Sequence, residues 1–239
     1  MLTEETEGRE ASFDPELLEF QYPYRLETDL PAKVTATQLK GRALDEEIAE
    51  KAAHMPYIRP LSQPKFRQQR HGLTPAERGT ATHLVLQYLD FSDRDVAGQV
   101  ERLRRADKLT AEQAAAVDIQ ALERFLASTL AEEIRRGENV RREYRFTLLM
   151  DARNYDPAAS GEDAILLQGV VDCCFETEQG MTVVDFKTDR VHTPDAVAER
   201  AEHYRPQLEA YSLALEQVLE KKVTRRTLYF LNAGETVDI

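Results

Sequence analysis

Residues 164–189 read AILLQGVVDCCFETEQGMTVVDFKTD, and the way this stretch folds decides the architecture. Two apolar runs, 164–176 and 181–187, are separated by Glu178, Gln179 and Gly180, a polar interruption suited to a tight turn, so an antiparallel hairpin is expected. Side chains two apart on a strand share a face, so Asp185 and Lys187 point one way while Val184 and Phe186 point into the opposite layer. With Glu178 and Gln179 as a two-residue loop, residues whose numbers sum to 357 stand opposite one another, and Asp172 then faces Asp185. A three-residue loop with Gly180 left-handed would shift the register by one and, unless a bulge restored it, put the aspartates on opposite faces. The same-face arrangement is the expectation.

Directly opposed like charges destabilise a sheet, and an unpaired buried carboxylate is costly, so this pair requires a compensating charge. A divalent cation is the natural one. The competing reading makes Asp185 and Lys187 a solvated edge of an ordinary hairpin, with Asp172 a polar residue beside it. Against it stands the context, because these strands are otherwise the most apolar in the chain and charges are rarely buried without a task.

Upstream, the pattern is helical. Residues 1–32 are acidic, interrupted by Pro15, Pro23 and Pro31, and read as an extended arm. Residues 34–53 carry a helical period and 55–72 a Pro- and Gln-rich connection. Thr74, Pro75 and Glu77 form a capping signature, which predicts a helix over 75–89. Thr110 and Gln113 repeat it ahead of AAAVDIQALERFLAS, and a helical run through Leu130 to Arg136 ends at Gly137, read as a C′ residue. Then Tyr144, Phe146, Leu148 and Met150 alternate as a strand. Beyond the hairpin, helices are expected from Pro194 and again from Pro206 to about Lys221, and a last strand over 227–232. This order implies an α/β fold, a mixed β-sheet flanked by helices, with a helical part over 33–137 and an α/β core over 138–239 joined by the 75–89 helix.

Composition bounds the rest. No run approaches the roughly 20 apolar residues of a membrane span, and the N-terminus lacks a signal peptide, so a soluble, cytoplasmic protein without membrane contact is expected. Cys173 and Cys174 are adjacent and have no CxxC companion, so they read as reduced strand residues rather than as a disulfide or a zinc or iron–sulfur site. The 31 basic and 43 acidic residues leave −12, the wrong sign for gripping nucleic acid by bulk charge. Residues 1–50 hold −8 of it, five basic against thirteen acidic, so the body is nearly balanced. Two stretches, 65–78 and 135–145, each sum to +3 and are candidate phosphate tracks as well as candidate solvated faces.

The segments GVVDCCF, VVDFKTD and RPQLEAY, with RGTATHLVLQYLDF and KVTATQLKG upstream, together resemble the RecB-type branch of the PD-(D/E)XK nucleases, and within it the nuclease domains of AddA-type helicase–nuclease proteins. The resemblance covers residues from about 20 to 239 and implies a restriction-endonuclease-like core. It also implies that His83, Asp172 and Asp185 ligate a metal together with the backbone oxygen of Phe186, and that Lys187 is the catalytic lysine. Gln207 and Tyr211, one helical turn apart, become supports for substrate or for the carboxylates. Glu143 stands near enough in the pattern to be an outlying helper. The chemistry agrees with Mg²⁺, with Mn²⁺ as a substitute once an imidazole joins oxygen ligands.

The expected function is metal-dependent hydrolysis of DNA phosphodiesters, by exonucleolytic digestion of single strands that a helicase delivers during break repair. Two aspartates, one divalent ion and Lys187 would sum to +1 and attract phosphate locally. The implied partners are the helicase portion of a parent chain and an AddB-like subunit. No GxxxxGK(S/T) loop is present, so no ATP site of that kind is expected, and the chain reads as an excised or free-standing nuclease module. The alternatives are a nuclease-like scaffold without catalysis and a stand-alone RecB-like nuclease of a phage or CRISPR system.

Overall fold

The structure, a computed structural model, describes residues 28, 30–39, 73–159, 162–191 and 193–239. The expected acidic arm therefore falls almost wholly outside the described residues, as do the 55–72 connection and most of the 34–53 helix. The chain forms two compact units, one of Met1–Ala32 with Met150–Ile165 and one of Lys33–Leu149 with Leu166–Ile239. In the smaller unit, a 3₁₀ turn at Ala152–Asn154 is capped by the Asp151 carboxylate, which accepts the Arg153 N–H at 2.9 Å.

The larger unit begins with strand β1 (Lys33–Thr35). Helices α1 (Pro75–Tyr88), α2 (Val96–Arg105), α3 (Ala111–Ala116), α4 (Ile119–Leu126) and α5 (Thr129–Arg136) follow. The long strands β2 (Glu138–Asp151) and β3 (Ala164–Thr177) come next, then β4 (Gly180–Lys187), helix α6 (Pro194–Leu219), and strands β5 (Val223–Phe230) and β6 (Glu235–Asp238). Among the described residues the sheet runs β1-β3-β4-β5-β6, with β2 also paired to β3. It is mixed: β1 with β3 and β4 with β5 are parallel, whereas β3 with β4 and β5 with β6 are antiparallel.

Both capping boxes form. The Thr74 side chain accepts from the Glu77 N–H while Glu77 reaches back to the cap, and Thr110 and Gln113 do the same. The helix expected after Thr110 is broken in two, because Asp118 caps a fresh start at Ile119, its carboxylate taking the Ala121 N–H at 2.9 Å.

Three further expectations are corrected. Residues 33–35 are a strand, not the opening of a helix; parallel pairing with Leu166, Leu167 and Gln168 overrides the helical period, which is taken up only from Ala36. Gly137 ends its helix with an extended backbone (φ −66, ψ 151), so no left-handed cap explains it. A Cβ there would lie 2.4 Å from the Phe175 ring, so the site needs a residue without a side chain for close approach. The two helices expected around Pro206 are one helix of 26 residues. Proline costs that helix the bond to the Glu202 carbonyl, but Val197, Ala201, Tyr204, Leu208, Tyr211 and Leu215 form one buried face on both sides of it, and that burial holds the helix together. In the basic stretch 135–145, read from the sequence as either a solvated face or a phosphate track, four of the five arginines are engaged within the protein and Arg145 is exposed. Arg135 donates to the Phe91 and Leu126 carbonyls at 3.1 Å each, Arg141 and Arg136 pair with Glu176 and Glu132, and Arg142 donates to the carbonyls of Leu86 and Leu89.

Alternation along β4 sorts the two layers. Val184 and Phe186, with Cys173, Phe175 and Tyr229, pack under α1, α2, α4 and α5; the opposite face of β5, Leu228 and Phe230, packs under Val197, Tyr204 and Leu208 of α6. Phe125 is the hub of the first layer. Its fully buried ring stands edge-on to Phe91, Phe186 and Tyr229, with centroids 5.1, 5.0 and 5.0 Å away. No helix of the described residues is long and apolar enough to cross a membrane. Phe125→Ala should cost about 3–5 kcal/mol in urea unfolding, the range for truncating a large buried aromatic, and a loss under about 1 kcal/mol would show that this cluster does not seat the helices.

Candidate active site

The site begins with the parity of one turn. Glu178 and Gln179 form the two-residue loop, and β3 and β4 pair Thr177 with Gly180, Glu176 with Met181 and so on to Cys173 with Val184, each pair summing to 357. The next pair in that register is Asp172 and Asp185, just past the end of the ladder. There the Phe186 N–H donates to Asp172 Oδ2 at 2.8 Å, a side chain standing in for the next strand bond. Phe186 thus reaches the site through its backbone while its ring lies in the core.

The second aspartate is held from the other direction. Asp185, only 2% exposed, has Lys187 Nζ 2.5 Å from its Oδ2, and its Oδ1 accepts from Gln207 Nε2 at 3.3 Å. Gln207 Oε1 accepts from Lys187 Nζ at 3.0 Å, and Gln207 Nε2 also donates to the Tyr211 hydroxyl at 2.6 Å. One amide therefore orients the carboxylate, the ammonium and the phenol. Lys187 Nζ also lies 3.8 Å from the centre of the Tyr204 ring, a cation–π contact.

His83 arrives from α1. Its Nδ1 is 3.3 Å from Asp172 Oδ1. Gly79, one turn earlier, makes this approach possible, because a Cβ there would come within 3.2 Å of Thr188 Oγ1. All seven residues expected from the sequence, His83, Asp172, Asp185, Phe186, Lys187, Gln207 and Tyr211, thus fall in one connected set of contacts.

Two further residues join them. Glu143 lies in β2 with φ 50, a left-handed backbone unusual for a residue with a side chain, and its carboxylate oxygen, His83 and Asp172 offer ligand atoms all within 4.8 Å of one another. Tyr204 is the other. Its signal was readable, since Tyr204, Gln207 and Tyr211 recur at helical spacing on one face, whereas the backbone turn that aims Glu143 leaves no mark in the composition of RREYRF.

The donor set fits a hard divalent cation. Ligands on opposite sides of such an ion, each about 2.1 Å from it, span about 4.2 Å, the scale of this group. Asp172, Asp185 and Glu143 against Lys187 leave two uncompensated negative charges when His83 is neutral. Despite its nearness to Lys187, the buried Oδ2 of Asp185 accepts no well-directed hydrogen bond among the described residues.

Electrostatics follow the same pattern. Burial drives the His83 imidazole down, but the Asp172 charge, their hydrogen bond and the Asp185 charge outweigh it, and the group is raised to about 9. Burial pushes Asp185 up, against the pull of Lys187 and with the push of Asp172. Glu143 is raised by burial and by Asp172. Cys173 and Cys174 are free and buried, and burial raises both thiols, so neither is poised to react.

Residues 50–238 match the family model of the PD-(D/E)XK nuclease superfamily. The chain is 40% identical over 230 residues to an ATP-dependent helicase/nuclease subunit of Moorella thermoacetica, covering 91% of this chain and 16% of that protein. It is 36% identical over 227 residues to the protein of the same name from Ruminiclostridium cellulolyticum, covering 93% of this chain and 18% of that one. A Bacillus velezensis relative, also so named, is 31% identical over 248 residues, 95% of this chain and 20% of its own length. The chain thus spans no more than a fifth of these relatives.

The raised imidazole makes stability depend on pH. A folded pKa of about 9 against 6.5 in the unfolded chain means that His83 contributes stability fully present below about 6.5 and lost as pH rises toward 9. In EDTA the thermal midpoint should fall across that interval, and His83→Asn should flatten the fall; an equal slope in the variant would assign it to other groups.

Proposed function

Since the chain belongs to the PD-(D/E)XK nuclease superfamily, we propose that it is a divalent-metal-dependent deoxyribonuclease whose active centre is His83, Glu143, Asp172, Asp185, Phe186 and Lys187. The observation that carries this reading is the meeting of Asp172 and Asp185 at the open end of the β3–β4 ladder, with Lys187 and His83 against them. His83, Asp172, Asp185 and the Phe186 carbonyl would hold the ion, and Glu143 stands where it could complete their set. Mg²⁺ suits the oxygen-rich donors, and one imidazole admits Mn²⁺.

A bound cation supplies Lewis acidity, lowering the pKa of a water and polarising a phosphoryl oxygen. The chain's own residues do the rest. Asp185 and Lys187, locked by Gln207, orient the attacking water in line with the scissile P–O bond. The Lys187 ammonium lies where negative charge grows on the phosphoryl oxygens as the water oxygen bonds to phosphorus and the bridging oxygen departs. Tyr211 and Tyr204 hold this pair from the α6 side and exclude bulk water from it.

The names of the similar proteins suggest a nuclease working beside an ATP-driven helicase within a multisubunit protein, and the sequence resemblance adds the finer reading we propose: exonucleolytic digestion of single strands that the helicase delivers in recombinational repair, with a second, AddB-like subunit. The first test is incubation with end-labelled single-stranded DNA in Mg²⁺, beside EDTA and an Asp185→Asn protein. Cleavage confined to the first reaction is expected; cleavage that survives either change would sink the reading, and a scaffold would cleave in none.

Metal affinity supplies a second test. An ion displaces the His83 proton, so Mn²⁺ affinity measured by calorimetry should rise about tenfold per pH unit from 6.5 toward about 9. A flat profile would remove His83 from the ligand set.

A further inference from the structure

Glu143 changes the charge arithmetic of the centre. The two aspartates, Lys187 and a divalent ion sum to +1, but with Glu143 the sum is zero, so the attraction that draws a polyanion must come from beside the centre. Among the described residues, a cleft of about 500 Å³ lies there, at the carboxyl ends of the parallel strands β4 and β5. Arg78 and Thr82 of α1, Thr188 and Arg190 after β4, and Asn232 after β5 help to line it. Thr82 precedes His83 and Thr188 follows Lys187 in the chain, so two residues of the cleft wall adjoin residues of the centre through the backbone, although no side chain of the centre lines the cleft.

The cleft arginines differ from most of those elsewhere on the surface. Arg102, Arg104, Arg136, Arg153, Arg205 and Arg225 are each paired with carboxylates. Arg78 is exposed and, among the described residues, uses only its Nε, which donates to the Leu73 carbonyl at 3.1 Å. Arg190 is exposed and has neither an ion pair nor a hydrogen bond among the described residues. The acidic groups in the wall are already engaged: Asp189 accepts from Arg200 Nε at 2.7 Å and from the Tyr204 hydroxyl at 2.8 Å, and Asp118 caps α4.

We propose that this cleft is the strand-binding site next to the scissile position, in which Arg78 on one wall and Arg190 on the other hold backbone phosphates of a single DNA strand. The inference rests on the nuclease reading above. Guanidinium contacts to phosphate carry no sequence information, so the site grips any sequence. Its volume is that of a small-molecule pocket, on the scale of nucleotides rather than of a duplex. Arg78 also belongs to the basic stretch 65–78 that the sequence singled out.

The test measures anisotropy of a fluorescein-labelled oligothymidylate against salt, in EDTA so that nothing is cut, with the whole chain. Wild type is compared with Arg78→Ala, Arg190→Ala, the double variant and Arg104→Ala, whose arginine is paired with Glu101 on α2. Each cleft variant should bind several-fold more weakly and flatten the log K against log salt slope by about 0.7, the double variant by about 1.4, and Arg104→Ala by nothing. In Mg²⁺ the cleft variants should raise KM and leave kcat nearly unchanged, with unaltered melting curves. A double variant with wild-type affinity and slope, beside a wild type that binds and cleaves, overturns the cleft and leaves the nuclease reading intact. An equal loss on a duplex of the same length overturns its assignment to a single strand. A wild type that binds through these arginines but never cleaves overturns the nuclease reading alone.

Discussion

The hydrogen bond from the Phe186 N–H to Asp172 Oδ2 is the contact on which the site depends. It lies where the β3–β4 ladder gives out, and it turns a backbone donor that would have met a strand carbonyl into an anchor for a carboxylate. With Oδ2 so engaged, Oδ1 is left facing His83. The bond exists because the turn has two residues: one more or fewer would rotate every side chain of β4 to the other face. A chemical centre thus hangs on a count of residues in a surface turn.

The same strand serves two layers with opposite demands. Phe186 stands against Phe125 in a dry aromatic cluster, and its neighbours Asp185 and Lys187 stand toward α6, where their mutual pairing, the Gln207 amide held by Tyr211, and the Tyr204 ring relieve the buried charge. Packing on one face makes the strand rigid, and rigidity on the other face keeps an ammonium beside a buried carboxylate. The cost of burying those charges is offset by the hydrophobic layer behind them.

What the sequence revealed follows the range of the physics involved. The hairpin register, both capping boxes and the helical spacing of Gln207 and Tyr211 are local, and local patterns are written in adjacent residues. The strand at 33–35 was hidden because its partner lies more than 130 residues away, and pairing at that distance can override a helical period. Pro206 looked like a boundary because the buried face that carries α6 through it depends on β4 and β5. Glu143 is legible in the sequence only as an outlying helper, and its place within reach of His83 and Asp172 is not. Its left-handed backbone is a conformation that no spacing rule reports.

Arg142 and Glu143 are neighbours in β2, and they hold α1 in two places. Arg142 takes the carbonyls of Leu86 and Leu89 at the end of that helix, and Glu143 comes to His83 near its middle. The helix is therefore keyed to the strand directly, independent of the chain that joins them. Helices α2 to α5 pack against α1 but supply none of the residues of the centre, so the loops between them can lengthen, shorten or acquire new contacts without adding a ligand to the centre or taking one away. A domain arranged in this way can be fitted to different neighbouring machinery without retuning its chemistry.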